Sequence, residues 1–420
     1  MWENWAGNQL SQSHVLRPTS VDELRQVITS EKTPRIAGAG HSFTPLVADA
    51  SRVVSLDGLS TVSLHPSSEN LVWLNANRRL QELSPALGEH NLAFRNLGDI
   101  NVQTLAGAVS TATHGTGADL PCLSAELQNV KMMLASGEVI NSEDDPTGEL
   151  IAAARVSLGV LGVLLEAQVT LVPKYYLRRR VEMRALQDTL DRMHELWASH
   201  RNFEFFYIPW SQKTLRIRHD LAREPMGKAP ADFDNLAVYG LRAARSLGHL
   251  HPSLRRQALA LLSMLQTEED YADEGWKVLC SQRNVRFVEM EYHVPTEAAR
   301  DVLMEVIQRT EANHPDVYFP IEVRKTAGDT SWLSPFQGGS RVSVAIHTAA
   351  QQNFAEYFRD IEPIFREAYA RPHWGKMHSL EFADLEALYP DFHRFCSLRE
   401  TLDPSGKFLS GYLQRLLVGG

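Results

Sequence analysis

Between Pro34 and Pro45 the chain reads PRIAGAGHSFTP, and this stretch limits the possible folds more than any other. Ile36 and Ala37 close a short apolar strand. Gly38, Ala39 and Gly40 then keep bulky side chains off the backbone, which permits positive φ and close approach of main-chain N–H groups to an anion. His41 and Ser42 follow at once, placing an imidazole and a hydroxyl beside such an anion. Taken alone, the stretch is equally well read as a glycine turn between two strands, because short glycine motifs recur widely. A second cluster of small residues and histidine, from Gly107 to Gly117, and a third near the C-terminus favour a ligand-binding fold.

At 420 residues the chain exceeds one ordinary core, so two domains are expected. A net charge of −9 argues against nucleic acid as a partner. No apolar run approaches the ~20 residues of a membrane span. The start, MWENWAGNQL, lacks the basic and apolar regions of a secretory signal. Cys122, Cys280 and Cys396 have no paired spacing, so neither disulfides nor a metal site is expected, and a cytoplasmic location follows. Arg178–Arg180 reads as a solvated strand end.

Ser20 with VDELRQVITS predicts a capped amphipathic helix with Val21, Leu24 and Val27 on one face. RIAG, SRVVS and LVWLNAN read as strands, and RLQELSPALGEHNLAF as a helix ending near Gly88. The run NLGDINVQTLAGAVSTATHGTG has neither helical nor strand period and suits backbone packed against a flat ligand. LQNVKMMLASGEVIN reads as two strands about a Ser-Gly turn. This pattern predicts an α+β domain ending near Pro173. Beyond it, VRFVEMEYHVP is an alternating strand, TEAARDVLMEVIQRTEAN a helix capped at Thr296, and LRRQALALLSML a helix. VYFPIEVRKT and SRVSVAIHTAA are strands, followed by a helix through NFAEYFRDIEPIFREAYA. Their order predicts an antiparallel sheet covered by helices.

Glu322 and Arg324 sit two apart on a strand, so both leave one face. His347 falls on the next strand, and Lys376 lies in HWGKMH. If the strands adjoin, one sheet face carries a carboxylate, a guanidinium and an imidazole. An exposed cross-strand ion pair would give the same Glu-x-Arg pattern.

NWAG, AGAGHSF, NLGDINVQTLAGAVSTATHGTG, SLGVLGV, FPIEVRKTAGDTSWLSP, RPHWGKMH and LDPSGKF occur in this order from the N-terminus to the last twenty residues. Together they resemble the vanillyl-alcohol-oxidase-type flavoproteins, in the branch of aldonolactone and alditol oxidoreductases. The resemblance implies a two-subdomain FAD-binding domain over residues 1–175, a substrate domain with an antiparallel sheet covered by helices over 176–370, and a segment 371–420 returning to the first domain. It places the FAD pyrophosphate on loop N–H groups of Ala37, Gly38, Ala39, Gly40, His41 and Ser42 (after Ile36), and of Thr111, Ala112, Thr113, His114 and Gly115. Thr104 and Gly107 would lie against the flavin and ribityl chain, and Val163 against the adenine. His41 is the expected site of covalent flavin attachment.

The same resemblance implies Glu322, Arg324 and Lys376 as the catalytic set. Arg324 and Lys376 would stabilise developing negative charge, and Glu322 would hold substrate hydroxyls. His347 is implied as a base or substrate partner, subject to strand register. Gly98 matches a position whose small size leaves dioxygen a path to the flavin. Asp99 matches a substrate-contacting position at which alditol oxidases resemble one another in having serine. The implied reaction is oxidation of a hydroxyl of a small polyhydroxylated substrate, an aldono-1,4-lactone such as L-gulono- or D-arabinono-lactone, with O2 or another electron acceptor reoxidising the flavin. The alternative is an alditol oxidase producing hydrogen peroxide.

Overall fold

The computed structural model describes residues 1–59, 63–229, 234–265 and 268–419. The first subdomain is a parallel sheet of β1 (Val15–Leu16), β2 (Pro34–Ala37) and β3 (Arg52–Ser55), with β3 in the centre. Parallel strands need a crossover, and α1 (Val21–Ser30) carries the chain from β1 to β2. The Ser20 hydroxyl caps this helix by accepting from the Glu23 N–H, as expected. Its buried residues are Leu24 and Ile28, four apart, whereas Val21 is exposed. The apolar face is thus turned from the one expected, because the partners Val54, Met133 and Phe408 lie on the Ile28 side.

The second subdomain is an antiparallel sheet of β4 (Leu64–Pro66), β5 (Leu71–Asn75), β6 (Leu127–Met133), β7 (Val139–Asn141) and β8 (Val163–Thr170), in the order β7-β6-β8-β5-β4. Helices α2 (Leu80–Glu89) and α3 (Leu105–Ser110) pack on it through Leu83, Leu87, Leu105 and Val109. The α3 helix corrects the expectation of an aperiodic run at 96–117. Small residues mask its period, yet Thr104 caps it by accepting from Gly107 N at 3.1 Å.

Next comes an eight-stranded, wholly antiparallel sheet. Its strands are β9 (Tyr176–Ala185), β10 (Asn202–Ile208), β11 (Lys213–Ala222), β12 (Glu269–Glu274), β13 (Phe287–Pro295), β14 (Ile321–Thr326), β15 (Arg341–Ala349) and β16 (Arg371–Pro372). They run in the order β12-β9-β11-β10-β14-β15-β13-β16. One face is apolar: Phe203, Phe205, Val323, Val344, Ile346 and Met290 are buried on it. Helices α4 (Leu186–Ser199), α5 (Ala299–Asn313) and α6 (Ala355–Glu367) cover that face. The α5 helix starts after Ala298 rather than at Thr296, whose hydroxyl instead donates to the Ser340 carbonyl across the sheet. A helical pair, Asp234–Leu250 and Pro252–Leu265, is inserted between β11 and β12.

Arg178–Arg180 is no strand end. It lies inside β9 with a neighbour on each side, and each arginine meets a carboxylate: Asp270, Glu269 and Asp220 respectively. The C-terminal segment returns to the first subdomain. Gly375 O accepts from Phe43 N at 2.8 Å, and Asp49 Oδ2 accepts from Tyr412 N at 3.0 Å. Buried Arg35 joins four carbonyls, donating to Leu46 O (2.9 Å), Leu158 O (2.6 Å), Gly159 O (2.7 Å) and Phe408 O (2.8 Å). The architecture is α+β, with two small subdomains joined to a helix-covered antiparallel sheet.

Candidate active site

A cleft with about 1080 Å³ of atom-free space, part of it open to solvent, opens at the carboxyl ends of the parallel strands. Open α/β sheets bind ligands at this end. Its walls include Ile36 through Ser42, then Thr104, Gly107, Thr111 and Val163 from the other subdomain. Two of the glycines are required by geometry. Gly40 has φ +71°, and a Cβ on Gly38 would come 2.5 Å from Thr104 Oγ1, the atom that caps α3. The loop after β2 and the start of α3 are therefore mutually fitted.

Ala112, Thr113, His114 and Gly115 do not line the cleft, nor does Gly98. Ala112 takes a left-handed φ of +57° and ends α3 in a Schellman turn, with Thr113 N donating to Ala108 O and Ala112 N to Val109 O. That turn carries the chain away from the cleft. His114 is consequently buried against the large sheet, with Nε2 2.8 Å from Glu291 Oε1 and its ring against His293 and Phe336. Gly115 packs so closely on the preceding loop that a Cβ would meet Leu97 O at 2.3 Å. A Cβ on Gly98 would meet His114 O at 3.0 Å, so that glycine has a packing reason of its own.

The second half of the site is the polar face of the large sheet. Register aligns it: Glu322 pairs with Ala345 and Arg324 with Ser343, so His347 shares their face. Glu204 is opposite Arg324, and Glu289 is opposite His347. Arg324 is buried among three carboxylates. Its Nε donates to Glu204 Oε2 at 2.7 Å, while Nη2 lies 2.5 Å from Glu322 Oε1 and 3.6 Å from Asp99 Oδ1. The Glu322 contact is a close ion pair without hydrogen-bond alignment, so Glu322 Oε1 has no hydrogen-bond partner among the described residues. Asp99 is also held by Arg283 Nη2 at 2.6 Å.

Lys376 forms an ion pair with Glu289 Oε2, and its Nζ lies 5.1 Å from the centre of the Phe43 ring. The Phe43–Gly375 hydrogen bond sets it beside the loop that bears His41. His347 donates from Nδ1 to Pro320 O at 3.1 Å, leaving Nε2 3.6 Å from Glu289 Oε1. Glu289, Glu322 and His347 thus bring ligand atoms within 4.8 Å of one another.

This crowding sets the charges. Burial, aided by Asp99, Glu204 and Glu289, pushes the Glu322 carboxyl well above its usual range, against the pull of Arg324. Arg324 is buried too, but its three carboxylates outweigh that and strengthen its hold on a proton. Burial works against the Asp99 anion, and Arg324 with Arg283 overcomes it, so that carboxyl ionises more readily than usual. Glu289 is pushed up to about 7, chiefly by burial. His347 is pushed down to about 3 by burial and then by Lys376, so it is a neutral imidazole. His41 is pushed down to about 4 by the same two causes in the same order.

Sequence reasoning missed Glu204, Glu289 and Arg283. Only Glu289 left a trace: in FVEMEYH the alternation puts Glu289, Glu291 and His293 on one face. The arrangement can hold a polyhydroxylated molecule and stabilise negative charge forming on it.

A dinucleotide fits the cleft. Its walls come from two subdomains, the Gly38–Thr104 contact leaves no room for a side chain, and His41 Nδ1 on the wall is buried without a hydrogen-bond partner among the described residues. Comparison with known proteins agrees. Residues 12–143 match the model of an FAD binding domain, and residues 167–416 that of D-arabinono-1,4-lactone oxidase. The chain is 35% identical over 426 residues to L-gulono-1,4-lactone dehydrogenase of Mycobacterium tuberculosis, with 99% of each protein covered. It is 28% identical over 431 residues to L-gulonolactone oxidase of Bos taurus, covering 99% of this chain and 98% of that protein. With alditol oxidase of a Streptomyces species the identity is 26% over 445 residues, with 99% of each covered. A solvent-stable cholesterol oxidase shares the fold with a TM-score of 0.81 at 19% identity, over 98% of this chain and 96% of that one. The chain is an FAD-dependent oxidoreductase and belongs to the D-arabinono-1,4-lactone oxidase family.

Proposed function

We propose that the protein oxidises a hydroxyl group of an aldono-1,4-lactone of the L-gulono- or D-arabinono-lactone type. The observation that carries this reading is the buried pair Glu322 and Arg324 on one sheet face, with Asp99 and Lys376 set against that face from neighbouring loops, next to a cleft of the right make for FAD. Bound there, FAD supplies the acceptor for the hydride leaving the carbon that bears the hydroxyl. The chain's residues do the rest. Glu322 Oε1, which lacks a hydrogen-bond partner among the described residues, receives a substrate hydroxyl. Arg324 and Lys376 stabilise the negative charge that develops, an effect commonly worth ~3–4 kcal/mol per donor. Asp99, fixed by Arg283 and Arg324, offers an acceptor to the sugar ring.

In this reading residues 1–175 hold FAD, 176–370 hold the substrate, and 371–420 lock the two together. His41 would be the residue that carries the flavin tether, at Nδ1, a buried atom that lacks a hydrogen-bond partner among the described residues. The enzyme works in the cytoplasm, in keeping with its three free cysteines, and passes electrons to O2 or another acceptor. Among the described residues no helix is long and apolar enough to cross a membrane.

One screen tests the function: aldonolactones against alditols, with peroxide formation and dye reduction read side by side. Faster turnover of L-gulono-1,4-lactone than of xylitol or sorbitol supports the proposal, and the reverse order replaces the lactone with an alditol. The tether is tested by acid precipitation. Yellow colour should stay with the wild-type protein and leave with the His41→Ala variant; a colourless wild-type pellet rules the bond out.

A further inference from the structure

His347 is a neutral base on the same sheet face as Glu322 and Arg324, yet an imidazole that protonates only near pH 3 holds a proton poorly. Its Nδ1–H is engaged by the Pro320 carbonyl, so Nε2 is the ring atom left to accept. Behind it lies Glu289, directly opposite on β13, almost fully buried and outside the family-derived set. One carboxylate oxygen, Oε2, is taken by Lys376; the other, Oε1, faces His347 Nε2 at 3.6 Å.

Resting on the function proposed above, we infer that Glu289 is a positioning residue that acts through His347 and becomes the final holder of the substrate's hydroxyl proton. The step balances. The O–H bond breaks, its electron pair stays on oxygen and becomes the second bond of the new carbonyl, and the hydride carries the two electrons of the C–H bond to the flavin. The proton passes to His347 Nε2 and on to Glu289 Oε1, where an O–H bond forms and the imidazole returns to neutral. Lys376 stays protonated throughout and holds the other oxygen.

The groups that face Glu289 set how readily it takes the proton. Lys376 favours the anion, whereas Glu291 and Asp99 favour the acid, as does burial, the largest influence; the resulting value is about 7. Glu322 and neutral His347 also lie close to it. A group with that affinity is matched to proton transfer at neutral pH.

The experiment is anaerobic reduction of the FAD-loaded enzyme by L-gulono-1,4-lactone, followed by flavin absorbance from pH 5 to 9. For wild type the reduction rate should climb with pH and level off above about 7. Glu289→Gln keeps an acceptor for Lys376 but holds no proton, so its rate should fall about 100-fold or more and lose the climb. Glu289→Asp should restore it. A merely structural glutamate would lower the rate in Glu289→Gln while leaving the ascending limb in place, and that result overturns the inference. If Glu289→Gln does not bind FAD, infrared difference spectra of wild type labelled with 13C-glutamate decide. A protonated glutamate band must appear on reduction by the lactone, and its absence overturns the inference. Wild type that no lactone or alditol reduces instead sinks the proposed function itself.

Discussion

Arg324→Ala separates stability from chemistry, because this guanidinium serves three carboxylates at once. It lies against Glu204, Glu322 and Asp99, and its side chain is 8% exposed. Removing one partner of a buried ion pair costs about 3–5 kcal/mol. Asp99 keeps Arg283, and Glu322 is already pushed toward its protonated form, so the cost falls mainly on Glu204. Loss of a charge-stabilising donor independently slows the reaction about 10²–10³-fold. Arg324→Ala should therefore lower the unfolding free energy by about 3–5 kcal/mol and the rate of anaerobic flavin reduction by at least ~100-fold. The double variant Arg324→Ala/Glu204→Gln removes one orphaned carboxylate. It should regain part of the stability, read as the urea midpoint, and none of the rate, read by stopped-flow absorbance. A single variant that reduces its flavin within a few-fold of wild type would remove Arg324 from the reaction. A double variant that recovers rate along with stability would show that the single variant had only lost its shape.

Other outcomes follow from the cleft and its histidines. In the untethered His41→Ala background, Gly38→Ala drives a methyl into Thr104 Oγ1 and should weaken FAD binding at least ~10-fold, since a ~1.4 kcal/mol loss suffices; flavin retained on dialysis as well as in His41→Ala alone would refute the fitted-loop argument. Thr104→Ala removes the α3 cap and should cost about 1 kcal/mol, read as a lower urea midpoint. His41, His347, His373 and His378 are each pushed down by burial, to about 4, 3, 3 and 4. Through these four rings the unfolded chain binds more protons than the folded one below pH 6.5, so their contribution to stability is complete above that value and is lost as pH drops toward 3. The slope can approach about 5 kcal/mol per pH unit, four groups at about 1.36 each. A urea midpoint that is flat from pH 7 to 5 would contradict the buried, neutral state of these rings.

What the sequence revealed was local. The turn after β2, the strand alternation that sets Glu322 and Arg324 on one face, and the helix cap at Ser20 are all fixed by neighbours within a few residues. What escaped was settled at long range. Glu204 meets Arg324 across 120 residues because β10 and β14 are neighbours, and no local pattern states that pairing. Glu289 gains its partner Lys376 only when the C-terminal segment folds back. The α3 helix hid behind small residues, and its Schellman ending, built on an alanine where glycine is usual, sent His114 away from the cleft. Val21 was lost from the α1 core face for a similar reason: the partner surface, including Phe408, lies nearly 400 residues downstream.

Arg35 gives this architecture a timetable. Its guanidinium joins the strand leading into the glycine loop to Phe408, 373 residues later. A ribosome adding 5–20 residues per second needs roughly 20–75 s to cover that distance. Until then at least one carbonyl of the four is missing, and a nascent chain carries a half-made cleft, the proposed flavin cradle, with an incompletely matched cation on its wall. Truncation after residue 400 should accordingly abolish cofactor retention, although every glycine of the cradle has already been translated.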